Sequence, residues 1–477
     1  MPARSVILYL PFKVPVKYDL VQPLANWLDD DESQVAFDRS SSNNNNNNNN
    51  YDAAPSMVIP KPAFTSVRCR SELLRIAALR NCISEALQDS HKSALQEHSM
   101  LRDCQDYHAT LLEFEKRGFP TGDTDDENGL WLTWNGAFAP VLPNLPDGSG
   151  EQETHHTLLW DRACTLWNTA ALRSAAAAIA LDGGGGGDNN DNATTTTKDG
   201  YKTAISHLQH AASHLSLCRQ LLEFSSVDEH HGYVSTVDLS KPMLRFWEKL
   251  LLAQAQACIY KMANLGGSSV RNHTTLAYLI QGAAPLYNDA LTLAQDPRLQ
   301  SELPDLCREW AAHCKAKSLL CQARACFHLS IELRLSRQAH GREIARLNQA
   351  IAKLEEVLRF CQKTTRVLKE SNDAGGDKSK RKRDKHNNTK NKNPNGTDSI
   401  LTPIAEAAAT IQPEAEGLLK LATDRRRAAS EDNRTVYLED VPGASALPEI
   451  RAQTMAKTDL PLPEAMLVPR ANLFGWE

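Results

Sequence analysis

Downstream of Gly341, the apolar residues Ile344, Leu347, Ile351, Leu354 and Leu358 recur at intervals of three and four. That spacing lines one face of an α-helix and does not fit the two-residue period of a strand. The same rhythm runs through Ile205, Leu208, Ala212, Leu215, Cys218 and Leu222. Comparable patterning predicts helices over Ser71–Lys116, Leu158–Leu181, Lys241–Asn264, Thr274–Gln295, Asp305–Arg337 and Pro413–Glu431, with Asp305 capping its helix after Pro304. A series of amphipathic helices must bury each stripe against its neighbours, and an all-α, solenoid-like array does this without any strict repeat period. The exception is Val6–Val16, "VILYLPFKVPV", which is β-branched, broken by prolines, and predicts one or two short strands.

Three low-complexity stretches interrupt the helical pattern. They lie at about 38–57, with eight asparagines in a row, at 182–200, and at 372–398. Such polar sequence cannot bury enough apolar surface to fold by itself. Each separates periodic segments, so each is expected to be an enlarged surface loop within a single domain spanning 1–477, since long loops cost little extra closure entropy.

The segment "LLLAQAQACIYKMA", Leu250–Ala263, raises a sharper question. It is too interrupted to span a membrane and too apolar for a surface helix. Gln254 and Gln256 need hydrogen-bond partners if they are buried. Leu252, Ala255 and Ala263 are expected to pack inward, and Ile259 either joins the core or lines a groove.

Charge and cysteine content narrow the function classes. The 477-residue chain carries 53 basic and 58 acidic side chains, a net charge of −5, so no global field favours nucleic acid. Its 11 cysteines form no C-x-x-C pair and sit mainly in apolar helical patterns, as in a reduced, intracellular protein. The five-residue apolar run before Pro11 is too short for a signal-peptide core, and no segment reaches the ~20 apolar residues of a membrane helix. The glycine run "DGGGGGD" lacks the Lys-Ser/Thr of a phosphate loop.

Two patterns still offer chemistry. His207, His210 and His214 share one helix face at a spacing that can bind zinc, but they also read as a polar outer stripe opposite Ile205, Leu208, Ala212 and Leu215. Cys307, Cys314 and Cys321 repeat every seven residues, with His313 pointing elsewhere, which suits core packing better than a thiol nucleophile. The pairs His155-His156 and His230-His231 fall in polar, loop-like sequence. No catalytic set assembles, so no enzyme activity, metal or cofactor is expected.

Several stretches together resemble one family. "LAQAQACIYKMA" resembles the central Leu-Ala-Gln-Ala-Gln helix of the Bro domain family. "HGREIARLNQAIAKLEE" is similar to its Gly-x-Glu-Ile-Ala-Arg-Leu helix, and "NRTVYLEDVP" to the segment that opens its extended C-terminal arm. "YDLVQPLANWL", "LWLTWNGAF" and "LWDRACTLWNTAALRSAAAA" match further family stretches in the family's order. The resemblance implies a banana-shaped, all-α solenoid with a tetratricopeptide-like core and a small N-terminal β element. It also implies a standalone, non-enzymatic adaptor that binds the C-terminal amphipathic helix of an ESCRT-III filament subunit in multivesicular-body sorting and membrane remodelling. On this reading the protein is cytoplasmic and recruited to endosomes.

Carried over by position, the family's partner-binding patch falls on Ile259, where the family has an aromatic, on Thr275 or Leu276, on Leu279, and on Met455 in the arm. Lys261 lies near the place of a lysine that grips the acidic partner. Ile259 and Leu279 are thus expected to be exposed anchors. Two other functions stay open: a Bro-domain scaffold in pH or stress signalling that engages a different tail, and a metal- or thiol-dependent enzyme. The basic run from Lys378 to Lys392 is either a solvated insert, a contact for an anionic membrane surface, or a nuclear localisation signal.

Overall fold

A computed structural model describes residues 10–15, 67–88, 94–116, 132–138, 152–155, 158–182, 193–225, 236–265, 272–336, 339–376 and 398–458. The first two helices are α1 (Val67–Gln88) and α2 (Ala94–Lys116), where the sequence predicted one continuous helix. They are followed by α3 (Leu158–Asp182), α4 (Ala193–Ser225) and α5 (Lys241–Asn264). Next come α6 (His273–Gln281), α7 (Ala283–Ala294) and the short α8 (Pro297–Glu302). The array ends with α9 (Pro304–Ser336), α10 (His340–Gly376) and α11 (Asp398–Asp432).

Packing is sequential. Each of α1 to α5 lies against the next, α6 and α7 bridge α5 to α9, and α9, α10 and α11 stack in turn. This is the solenoid that the 3.6-residue stripes demand. Ile344, Leu347, Ile351 and Leu354 are all buried, facing α9 and α11. Among the described residues, the largest core cluster gathers around Trp160, Trp167, Phe246 and Trp310. Phe246 stacks on Trp310 at 4.9 Å between ring centroids. Full burial of each such ring contributes on the order of 2–3 kcal/mol.

The β element is a three-stranded antiparallel sheet in the order β1 (Val14–Pro15), β2 (Leu132–Asn135), β3 (Gln152–His155). His155 pairs with Leu132 in this sheet, so it is a strand residue and not part of a polar loop. Two buried ionic networks fix the sheet to the helices. Asp161 accepts from Trp134 Nε1 at 2.5 Å and from the Tyr107 hydroxyl, and Arg80 lies 3.4 Å away. Lys13 Nζ lies 2.5 Å from Asp238, and both side chains are almost fully buried.

Several boundaries differ from the sequence expectation. The stretch 182–200 is not all loop, because α4 begins at Ala193. Gly200, inside α4, packs so closely on α3 that a Cβ there would lie 2.7 Å from the Ala180 carbonyl oxygen. Helix α10 continues to Gly376 and α11 starts at Asp398 and passes through Pro413, so the proline does not open the helix. Helix α9 starts at Pro304, which puts Asp305 in its first turn, where a carboxylate favours the helix dipole. The predicted helix 274–295 is broken at Gly282. The strand expected before Lys13, the asparagine run, His156, the His230-His231 pair and the basic run at 378–392 lie outside the described residues. No described helix is long and apolar enough to cross a membrane.

Candidate functional site

Beyond α11 the chain leaves the helical array through a single turn at Asn433–Tyr437 and a left-handed residue, Leu438. Asn433 closes that turn: its amide donates to Glu439 O at 2.8 Å and its oxygen accepts from Glu439 N at 3.1 Å. The following arm, 439–458, then runs back across the solenoid. Glu439 accepts from Gly341 N at 2.8 Å, and Arg346 and Gln349 on α10 donate to Pro448 O and Ala444 O. At its far end, Thr458 O accepts from Ser213 on α4 at 2.7 Å.

Gln256 holds the middle of the arm. Its side chain is fully buried and uses all of its capacity. Nε2 donates to Leu279 O at 2.8 Å and to Gln453 O at 2.9 Å. Oε1 accepts from Met455 N at 2.7 Å and Ala456 N at 3.0 Å. Gln453 N adds a bond to Tyr278 O at 2.9 Å. The glycine at 282 follows from this contact, since any Cβ there would overlap the Gln453 carbonyl. The break between α6 and α7 is therefore where the arm crosses.

α5, α6 and the arm thus meet along one surface. Ile259 is one turn beyond Gln256 on the same face of α5, half-buried and packed against the main core. Met455 is 52% exposed on the arm. Leu276 and Leu279 are buried at 5% exposure, so Leu279 is not the surface anchor expected from its position. Its side chain belongs to the main core cluster. Thr275 is exposed, and its amide donates to the N-cap Asn272 at 2.9 Å.

Lys261 is not part of this surface. It is two residues from Ile259, about 200° around the helix, and it lines a cleft on the other side of α5 with Lys317, Arg324 and Glu414. Ala263 is exposed, while Leu252 and Ala255 pack inward. The surface at the arm thus offers half-buried Ile259, an exposed methionine and an arm tied down by Gln256.

The other candidates resolve into packing. The histidine stripe of α4 is not a polar outer face. His214 is fully buried and its Nδ1 lies 2.6 Å from His210 O, while His207 Nδ1 lies 3.2 Å from Arg173. Burial, with smaller effects from Arg173 and His210, lowers His214 to about 4, and burial with Arg162 and His214 nearby lowers His108 to about 3. Among the described residues no three His, Cys, Asp or Glu side chains are grouped to hold a metal ion. Burial raises Cys307 to about 11 and Cys321 to about 12, and pushes Cys314 up as well. These thiols stay protonated at neutral pH, which is the wrong state for a nucleophile.

Of the residues that matter most here, Gln256 was flagged by its polarity within an apolar run. Gly282, Gln453 and Thr454 were not, because their roles exist only where distant segments meet.

Comparison with known proteins agrees with this architecture. The family described as BRO1-like domain matches residues 63–474. Tyrosine-protein phosphatase non-receptor type 23 of Mus musculus is 23% identical over 251 residues, 53% of this chain and 13% of that protein. The pH-response regulator protein palA/RIM20 of Emericella nidulans is 24% identical over 338 residues, 69% of this chain and 32% of that protein. The chain thus spans a third or less of the length of these curated relatives. A solved structure described as an ALIX BRO1 CHMP4C complex superposes with a TM-score of 0.61 at 19% identity, covering 99% of both chains.

Proposed function

The chain belongs to the BRO1-like domain family, and on that premise we propose that the surface where α5, α6 and the arm meet docks an amphipathic helix from the C-terminus of an ESCRT-III filament subunit. This makes the protein a non-enzymatic adaptor in endosomal and multivesicular-body sorting, recruited from the cytoplasm to endosomes. The observation that carries the reading is that half-buried Ile259 lies one turn beyond Gln256, the residue that ties down the arm at exposed Met455. Helix-in-groove recognition needs such a row of apolar positions on a rigid support. The solved ALIX BRO1 CHMP4C complex supports it as an example of a domain of this fold that holds a protein partner.

The experiment is a titration of a labelled ESCRT-III C-terminal helix against the wild type, Met455→Asp and Ile259→Asp, with melting temperatures measured in parallel. Truncating an apolar anchor commonly costs roughly 2–4 kcal/mol, so either charge is expected to weaken binding at least tenfold. Met455→Asp should leave the melting temperature unchanged, since the side chain is mostly exposed. Unaltered affinity in both folded variants would place the partner elsewhere.

A second reading is favoured by the similarity to a pH-response regulator: the same surface holds a different tail in pH signalling. A receptor tail that competes with the ESCRT-III helix for the wild type, and fails to bind Met455→Asp, would select it.

A further inference from the structure

We propose that the turn joining α11 to the arm is a second docking surface, built for a basic amphipathic helix of a partner protein. Among the described residues, nine large apolar side chains are exposed, and four of them, Val436, Tyr437, Leu438 and Val441, fall between positions 436 and 441. Apolar residues exposed singly need no explanation, but a run of them marks an interaction surface. The surface is separate from the one at Ile259 and Met455, because the arm leaves the turn at Glu439 and reaches Gln256 only at Gln453.

The turn is strained where it is most exposed. Leu438 is 77% exposed and has a φ of 53°, and it is alone among the described non-glycine residues in having a positive φ. Glycine or asparagine usually fills such a left-handed position after a helix, because a Cβ there crowds the following carbonyl. Leu438 buries little in return, so neither packing nor backbone geometry accounts for a leucine. The turn is nevertheless fixed. Leu438 N donates to Asn433 O at 2.7 Å, Tyr437 stacks on His340 with ring centroids 3.4 Å apart, and Gly341 N donates to the Glu439 carboxylate at 2.8 Å. Strained residues held in place by their surroundings cluster at ligand clamps. A surface fixed in advance also loses little entropy when a partner binds.

Charge selects the partner. The turn carries the carboxylates of Glu431, Asp432, Glu439 and Asp440 against the single guanidinium of Arg434, which is paired with Glu431 at 2.8 Å. In the first turn of α10, Arg342 adds one exposed cation, while Glu343 is paired with Arg425. The excess stays negative, and the side chains of Asp432 and Asp440 make no hydrogen bond or ion pair among the described residues. Complementary charge steers association, so the partner carries lysine or arginine beside its apolar face. A basic amphipathic helix has both features, whereas an anionic lipid surface is repelled by the same carboxylates. Tyr437, half-exposed over His340, is the kind of residue that anchors such contacts.

The test titrates the full chain against a labelled synthetic amphipathic helix of leucine and lysine, read by fluorescence anisotropy, with a leucine–glutamate helix and oligolysine as controls. Saturable binding of the leucine–lysine helix alone is expected. Leu438→Gly should weaken it at least tenfold and at the same time raise the urea midpoint, because glycine adopts this φ without strain. Loss of binding in a more stable protein separates a docking role from a structural one. Val436→Asp provides a second variant and should weaken binding as well. Leu421→Asp, at an exposed leucine elsewhere on α11, and Met455→Asp should leave it unchanged. Absence of saturable binding to the wild type overturns the proposal, as does equal affinity in Leu438→Gly and Val436→Asp, or equal binding of the leucine–glutamate helix. Loss of binding in Met455→Asp instead places the peptide at the other surface and also overturns it. Two further outcomes assign the turn to a different occupant. Dimerisation in sedimentation velocity that disappears in Leu438→Gly makes it a contact between copies of this chain, and co-sedimentation with phosphatidylserine vesicles that disappears in Leu438→Gly makes it a lipid contact.

Discussion

Replacing Gln256 with alanine tests whether the arm is fastened mainly through that one side chain. The substitution removes four hydrogen bonds at 2.7–3.0 Å and leaves the Leu279 and Gln453 carbonyls and the Met455 and Ala456 amides without these partners. A net contribution of about 1 kcal/mol per bond gives about 4 kcal/mol, an upper figure because water can enter the vacated space. The loss falls first on the arm, whose remaining ties here are Gln453 N to Tyr278 O and the Thr454 hydroxyl to Gly282 O. Hydrogen exchange reads this directly. The Met455 and Ala456 amides are expected to exchange up to about 10³-fold faster in Gln256→Ala, while the α10 amides around Leu347 keep their protection. Glutamate at the same position should do nearly the same, because a carboxylate cannot donate to the two carbonyls. If Met455 and Ala456 exchange within threefold of the wild type in the alanine variant, the arm is held by other contacts and the reasoning fails.

Leu279→Asp is expected to cost several kcal/mol in urea unfolding, because it buries a carboxylate in the main core, whereas Met455→Asp should stay within about 0.5 kcal/mol. The acid sensitivity of the fold should begin near pH 6.5. The folded-state values of His108, His214 and His313, about 3, 4 and 3, all lie below the ordinary 6.5. The unfolded chain therefore takes up protons first, and stability is full above pH 6.5 and drains as pH falls toward those values, by up to about 1.4 kcal/mol per pH unit for each histidine. Urea midpoints from pH 7 to 4.5 measure that slope, and His108→Leu should flatten it. If the Lys378–Lys392 run touches membrane, binding to anionic vesicles should weaken steeply between 0.05 and 0.5 M salt, and equal binding to neutral vesicles would exclude an electrostatic contact.

What could be read from the sequence follows from the range of the forces involved. The stripe Ile344, Leu347, Ile351 and Leu354 is a local signal, and all four residues are buried as their spacing requires. The opposition of Ile259 and Lys261 was equally local, since two positions on a helix are about 200° apart. Family position alone had put them on one surface, and helix geometry separates them. The histidines of α4 were misread because their partners, Arg173 and the face bearing His108, come from α3 and α2. The break at Gly282 was hidden for a similar reason: the group that demands a glycine there is a carbonyl in the C-terminal arm.

The same distinction decides where a partner can act on this molecule. A residue that looks like an anchor by position, Leu279, is consumed by the main core, and its carbonyl is bound to Gln256. The arm crosses beside it, held by the same glutamine, and exposes Met455. A partner helix that needed the surface beneath the arm would have to break the Gln256 bonds. One that rests on Met455 and Ile259 would leave them intact. Hydrogen exchange at Met455 and Ala456 in the presence of a bound helix separates the two modes. Added protection means the helix docks with the arm closed, and accelerated exchange means it opens the arm.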